Sequence, residues 1–219
     1  MKAIPAPLRP SAIDNPRVSR PSERLLNVAS DLFATHGIRA VGIDQILRDA
    51  GVAKASLYTW YGSKDALVLA YLNDLDQADR KRWNEAVCAL EEPTEKVFAF
   101  FDLAIARAPK RGYRGCLYAN AAVEYPGVEL APVRAHRRWM HSTLTALLVA
   151  AGITRASRPA REIQLLYDGA LAGSKMERSV APIRLGRRLA AEAIRRAGGP
   201  ATATGRDSRP PPTGATASR

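Results

Sequence analysis

The stretch 43–67, IDQILRDAGVAKASLYTWYGSKDAL, constrains this chain more than any other. Ile43, Ile46, Leu47 and Ala50 recur at i, i+3, i+4 and i+7, the spacing that lays one apolar stripe along a helix. Gly51 follows at once, where a helix end favours a left-handed residue and glycine adopts one without steric cost. Val52 then fills the angle, and Ala55, Ser56, Leu57, Tyr58 and Tyr61 predict a second helix of about two turns. Two short helices joined by a glycine turn make a helix-turn-helix, whose second helix fits a DNA major groove. Upstream, Leu25, Leu26, Ala29, Leu32 and Phe33 predict a preceding amphipathic helix, with Pro21 in its first turn, Ser19 or Ser22 as cap, and His36-Gly37 as its stop. That helix supplies the face a bare helix-turn-helix lacks, because two short helices bury too little surface to be stable.

The residues 32–67 resemble the DNA-binding domain of the TetR/AcrR family of bacterial transcriptional regulators. The resemblance rests on Leu32-Phe33, Gly37, Ile46, Ala50-Gly51-Val52, Leu57-Tyr58, Tyr61, Ser63-Lys64 and Leu67. It implies an all-α homodimer with a three-helix DNA-binding head at 19–64 and a larger helical ligand-binding and dimerisation domain at 65–197. Lys54, Ala55, Ser56, Thr59 and Trp60 are then the side chains directed at bases, Lys54 toward guanine and Ala55 toward a thymine methyl. Tyr58 and Lys64 match positions that clamp phosphates, Lys64 at a helix N-terminus. Two positions depart from the pattern. Gly42 stands where the family uses Thr or Ser to cap the second helix and touch a phosphate; it stays in the DNA-facing set without a hydroxyl. Ala53 replaces a serine cap, a change that costs about 1 kcal/mol of helix-end stability.

Charge is a poor guide to the partner. The 219 residues carry a net +12, yet 21–64 hold five basic and four acidic side chains, whereas 110–197 hold sixteen and six. The basic excess belongs to solvated faces of the later helices and adds only a general attraction to polyanions. No apolar run nears the ~20 residues that cross a bilayer, and no signal-peptide core opens the chain, so a cytoplasmic location away from membranes is expected. Residues 1–18, with four prolines, and 198–219, with no large apolar side chain, predict disordered ends. Arg9, Arg17 and Arg20 give the first of them either a minor-groove arm or a plain solvated leader.

Beyond the head the pattern is helical throughout, about nine helices in all, with no period-two segment. Ser63 caps a helix running to about residue 90; others follow over about 94–106, 117–124, 130–151, 159–176 and 182–196, with a loop at Lys110-Arg111-Gly112-Tyr113-Arg114-Gly115. Ile163, Leu166, Tyr167, Ala170, Leu171 and Ser174, with the small Gly169, Ala172 and Gly173, form one candidate dimer stripe. Ile183, Leu185, Leu189, Ala190, Ala193 and Ile194 form the other, the alternative being burial within one chain. The segment 114–124, RGCLYANAAVE, is similar to a pattern in a subset of these regulators. The resemblance implies a cavity between head and interface for a small organic effector, and Trp83, Phe98, Phe101, Cys116, Asn120, Trp139, Met140, Tyr167 and Asp168 are its candidate lining. Release from a palindromic double-stranded operator by tilting of the helix from Ser63 is the expected mechanism, in a repressor.

Three competing readings use the same residues: a regulator without an effector, a cysteine redox switch at Cys116 beside Arg111 and Arg114, and a thiol enzyme pairing Cys116 with His136 or His141. Cys88 and Cys116 form neither a disulfide framework nor a metal-ligand spacing, and no nucleophile elbow or phosphate loop occurs. No enzyme activity, metal or cofactor is therefore expected.

Overall fold

The computed structural model describes residues 20–198, and every regular element among them is a helix. In chain order these are α1 (Pro21–His36), α2 (Ile43–Ala50), α3 (Lys54–Tyr61), α4 (Lys64–Val87), α5 (Pro93–Arg107), α6 (Leu117–Glu124), α7 (Ala131–Ala150), α8 (Ser157–Glu177) and α9 (Ala181–Arg196). The stretch expected at 1–18, with Arg9 and Arg17, lies outside the described residues, as does the tail from 199 onward. No helix among the described residues is long and apolar enough to cross a membrane.

The helix ends follow local chemistry. α1 is capped by Glu23, whose carboxylate accepts the Arg20 N–H at 3.1 Å, rather than by a serine. Ser22 instead offers its carbonyl to the Tyr61 hydroxyl at 3.0 Å, tying α3 to α1, while Ser19 is outside the described residues. Gly51 stops α2 at φ +64°, a left-handed turn that an L side chain rarely adopts. The Ser63 hydroxyl accepts the Ala66 N–H at 3.1 Å and starts α4.

Two apolar cores share α4. The first gathers Leu25, Phe33, Ile46, Leu57, Leu67 and Leu72, all buried, and is completed by Leu117, Tyr118 and Ala121 of α6. The second begins at Trp83 and Val87 and gathers Phe98, Phe101, Leu144, Leu148, Ile163, Ile183 and Ile194. Packing thus changes hands inside α4, between Leu75 and Trp83, and not at the 64/65 boundary that the motif predicts.

α8 and α9 pack on one another, with α9 also against α5. Most of the stripe expected at a dimer interface is spent here: Ile163, Ala170, Ser174, Ile183, Ala190, Ala193 and Ile194 are buried within the single chain. The packing is close enough to require glycine at 186. A Cβ there would stand 2.8 Å from the Ala170 Cβ and 3.2 Å from Phe101 Cε1, neither of which can swing aside. Gly186→Ala is therefore expected to destabilise the fold by about 1–3 kcal/mol, the usual cost of overpacking. A thermal melt of the variant checks this, and an unchanged midpoint would show that the pair of helices has slack.

Candidate nucleic-acid interface and interior cavity

α3 divides its residues cleanly between core and surface. Leu57 is fully buried, whereas Tyr58 and Trp60 stay 48% and 40% exposed, far more than aromatic rings need for packing alone. Lys54, Ala55 and Thr59 share that outer surface, Ser56 lies at its half-buried margin, and Gly42 is exposed at the start of α2. The Thr59 hydroxyl donates back to the Ala55 carbonyl at 2.9 Å. Lys54 is a loose partner of Asp44 at 3.9 Å, both side chains largely in solvent, so its ammonium is easily redirected.

Lys64 departs from its expected place. Its Nζ donates to the carbonyls of Ile38 at 2.7 Å and Val41 at 2.6 Å and sits 5.9 Å above the Phe33 ring. The ammonium fastens the α1–α2 loop onto α4 and does not point outward as a phosphate clamp would. A lysine at a helix start satisfies both patterns in sequence; only the folded loop places two carbonyls within its reach.

A cavity of about 110 Å³ lies behind the head, lined from α4 by Asp79, Arg82 and Trp83 and from α5 by Phe100, Leu103, Ala104 and Arg107. The 108–115 loop adds Arg111 and Arg114, α6 adds Tyr118, and α7 and α8 add His136, Trp139, Met140 and Tyr167. Five of the expected residues are there: Trp83, Cys116, Trp139, Met140 and Tyr167. Four are not. Phe98 and Phe101 point to the other flank of α5, Phe98 under the Arg187 guanidinium at 4.5 Å and Phe101 edge-on to the Tyr167 ring at 5.3 Å. Asn120 bridges the Arg114 carbonyl and the Lys175 ammonium, at 3.0 and 2.8 Å, and Asp168 is paired with Arg137 at 2.8 Å. The missed stripe is Phe100, Leu103, Ala104 and Arg107, at i, i+3, i+4 and i+7, with an arginine where an apolar residue would continue it.

Hydrogen bonds order the polar part of this wall. Asp79 accepts from Arg82 and from the Tyr118 hydroxyl, the latter at 2.9 Å; burial and that carboxylate push the Tyr118 hydroxyl well above its ordinary pKa. His136 stacks on Tyr118 and its Nδ1 lies 2.8 Å from Asp76, while burial holds its pKa below the usual value. Cys116 caps α6, its sulfur accepting the Ala119 N–H at 3.5 Å, and burial pushes its thiol upward. That direction is opposite to the thiolate-forming environment a redox switch or a nucleophile requires. No group of three or more potential metal ligands occurs among the described residues.

α6 spans from cavity to head. Its first residues, Leu117 and Tyr118, line the cavity. At its far end the Glu124 carboxylate accepts the N–H groups of Ile38 at 3.1 Å and Arg39 at 2.6 Å, and the Tyr125 hydroxyl donates to Asp65 at 2.8 Å. Nothing local in the sequence singles out Glu124, because its partners lie some 85 residues away.

A helix-turn-helix head whose recognition helix leaves one face uncovered, joined to a helical body with an interior cavity, defines a DNA-binding transcriptional regulator. The family described as "Bacterial regulatory proteins, tetR family" matches residues 25–71. The crystal structure of a TetR-family transcriptional regulator from Streptomyces coelicolor is 31% identical, covers 81% of this chain and 93% of its own, and superposes with a TM-score of 0.70. The chain belongs to the TetR family of transcriptional regulators. Among curated relatives, the HTH-type transcriptional regulator LmrA of Bacillus subtilis is 30% identical over 79 residues, which are 36% of this chain and 42% of LmrA. The chain thus spans less than half the length of that relative. The HTH-type transcriptional repressor KstR2 of Mycolicibacterium smegmatis is 25% identical over 159 residues, 68% of this chain and 75% of its own.

The Glu124 contact has a measurable worth. Glu124→Ala leaves two backbone donors without a carboxylate, so the variant is expected to lose about 1–3 kcal/mol. Amide hydrogen exchange at Ile38 and Arg39 should accelerate first; unchanged protection there would mean that the head is held to the body by packing alone.

Proposed function

We propose that this regulator is a homodimeric repressor that binds a palindromic operator and leaves it when a small organic effector fills the interior cavity. One observation carries the reading: α4 and α6 each line the cavity and each belong to, or grip, the head. An effector that binds one tilt of α4 better than the other shifts the population between head spacings, whereas equal affinity would shift nothing. Successive major grooves on one face of DNA lie about 34 Å apart, so a small change of tilt takes the second recognition helix out of register. Repression is supported by the name of the similar KstR2 protein. A cytoplasmic location, where DNA is available, follows from the same reading.

Lys54, Ala55, Ser56, Thr59 and Trp60 read base edges in this account, and Tyr58 with the backbone at Gly42 holds phosphates. Lys64 acts from beneath by fixing the loop. The units 19–64 for DNA and 65–197 for ligand and dimer describe function, while the packing border falls later in α4. Dimerisation uses what the α8–α9 pair leaves uncovered. Leu165 at 59% and Met176 at 79% exposure flank the exposed Gly169 and Ala172 on one line of α8, and Leu185 of α9 is 47% exposed. Two copies of that face pack as a four-helix bundle about a two-fold axis.

Selection of random duplex DNA by the purified protein, followed by footprinting, tests the core of the proposal. A palindromic site is expected; enrichment of an asymmetric half-site, or of nothing, would overturn dimeric operator reading. Within the selected site, Lys54→Ala should cost about 1–3 kcal/mol and relax choice at one position, as expected for a lost base contact. Lys64→Ala should instead lower the melting temperature of the free protein. Leu165→Arg places a charge on the free face of α8 and is expected to give a folded monomer by analytical ultracentrifugation. A dimer that survives it would move the interface elsewhere.

A further inference from the structure

Several donors on the cavity wall stand without a paired acid among the described residues. Arg107, Arg111 and Arg114 line it half-buried, and none has a carboxylate within ion-pair distance among the described residues. The nearby acids are already engaged, Asp79 by Arg82 and Tyr118, and Asp168 by Arg137. The indole N–H of Trp83, also in the lining, is buried and has no hydrogen-bond partner among the described residues. Tryptophan only donates, and guanidinium only donates and stays charged, so only an acceptor can satisfy these groups.

The loop that carries two of the arginines is built to keep them there. The Arg111 N–H returns to the Arg107 carbonyl at 3.0 Å and the Tyr113 N–H to the Ala108 carbonyl at 2.8 Å. Tyr113 is held at φ +58°, an unfavourable value for an L residue. Gly115 then presses against α8, where a Cβ would stand 3.1 Å from the Leu171 carbonyl and 3.2 Å from the Lys175 Cβ. Burial and the neighbouring Arg111 and Arg82 also push the Arg107 pKa down, as expected of like charges crowded out of water. The rest of the lining is largely aromatic: Trp83 stacks on Phe100 at 5.2 Å, and Trp139 meets both rings edge-on.

We propose that the effector of this regulator is a compact organic anion, a carboxylate or phosphate on an aromatic or otherwise apolar body, with its charged group bound by Arg107, Arg111 and Arg114. The inference rests on the effector reading of the cavity and narrows it to one ligand chemistry. Guanidinium groups suit both headgroups, because their forked donors match the oxygens of either. A neutral ligand of the same shape brings hydrogen-bond acceptors at most, and no charge to offset the three guanidinium groups.

Phenylacetate, phenyl phosphate and the neutral isostere phenylacetamide serve as probes. A Trp60→Phe background leaves Trp83 and Trp139, both on the cavity wall, as the only tryptophans, so quenching reports the cavity alone. At least one anion is expected to quench at about tenfold lower concentration than the amide, as charge-assisted hydrogen bonds predict. In Arg107→Gln/Arg111→Gln the preference should collapse, with the far-ultraviolet dichroism and melting temperature of the variant checked to confirm folding. Equal binding of anion and amide, survival of the preference in the double variant, or no response to any probe at millimolar concentration would overturn the assignment. Operator release by the amide alone would overturn it too while leaving the effector reading intact. An arginine-dependent anion that binds without changing operator affinity would uphold it and sink release by effector instead.

Discussion

One helix belongs to two cores, and most of the architecture follows from that. The first half of α4 buries Leu67, Val68, Tyr71 and Leu72 with the head, and its second half buries Trp83 and Val87 with the body. A rigid helix cannot serve two packed cores independently: any displacement at Trp83 is felt at Lys64. α6 works in parallel with it, with Tyr118 at the cavity and Glu124 on the loop between α1 and α2. Head and body are therefore joined by two members, one running through the joint and one bracing it from the side.

The polar residues of the joint are arranged in relays. Tyr118 leans on Asp79 and stacks on His136; His136 leans on Asp76; Asp76 holds Arg80, whose guanidinium lies 4.9 Å over Trp139. Each of these side chains is fixed by at least one other from a different helix, so the wall of the cavity is connected to α4 through hydrogen bonds as well as through packing. Such networks are high-stakes when buried, because a displaced member leaves its partner unsatisfied. A molecule entering the cavity meets side chains that do not move singly.

The helices were readable because their signals are local. Apolar spacing and punctuation by Gly51, Ser63 and Pro93 put helix boundaries within a few residues, and α6 falls on Leu117–Glu124 as the pattern predicts. The faces of α3 are local in the same way: on a two-turn helix, a buried Leu57 dictates which neighbours face outward. What failed depended on distant partners. Choosing Phe100 over Phe98 and Phe101 requires knowing where α9 crosses α5, and Lys64 turns inward because carbonyls at 38 and 41 fold beneath it. The same ignorance placed Ile163 and Ile183 on an outer face when α8 and α9 consume both. In the sequence Arg111 and Arg114 stand near Cys116, whereas the fold brings them to the cavity beside Arg107, with no ion pair to any acid among the described residues.

Among the described residues, the grip of Glu124 on the head is made by hydrogen bonds from two main-chain N–H groups and from no side chain. Whatever residues occupy positions 38 and 39, proline excepted, those donors persist. The surface that touches DNA can consequently diverge without severing its link to the body. A gene duplicate could acquire a new operator by drift in α3 while inheriting the transmission apparatus whole, and a new ligand could be acquired around the arginines with the reading surface untouched. The same bond that makes the molecule one mechanical unit leaves its two ends free to evolve apart.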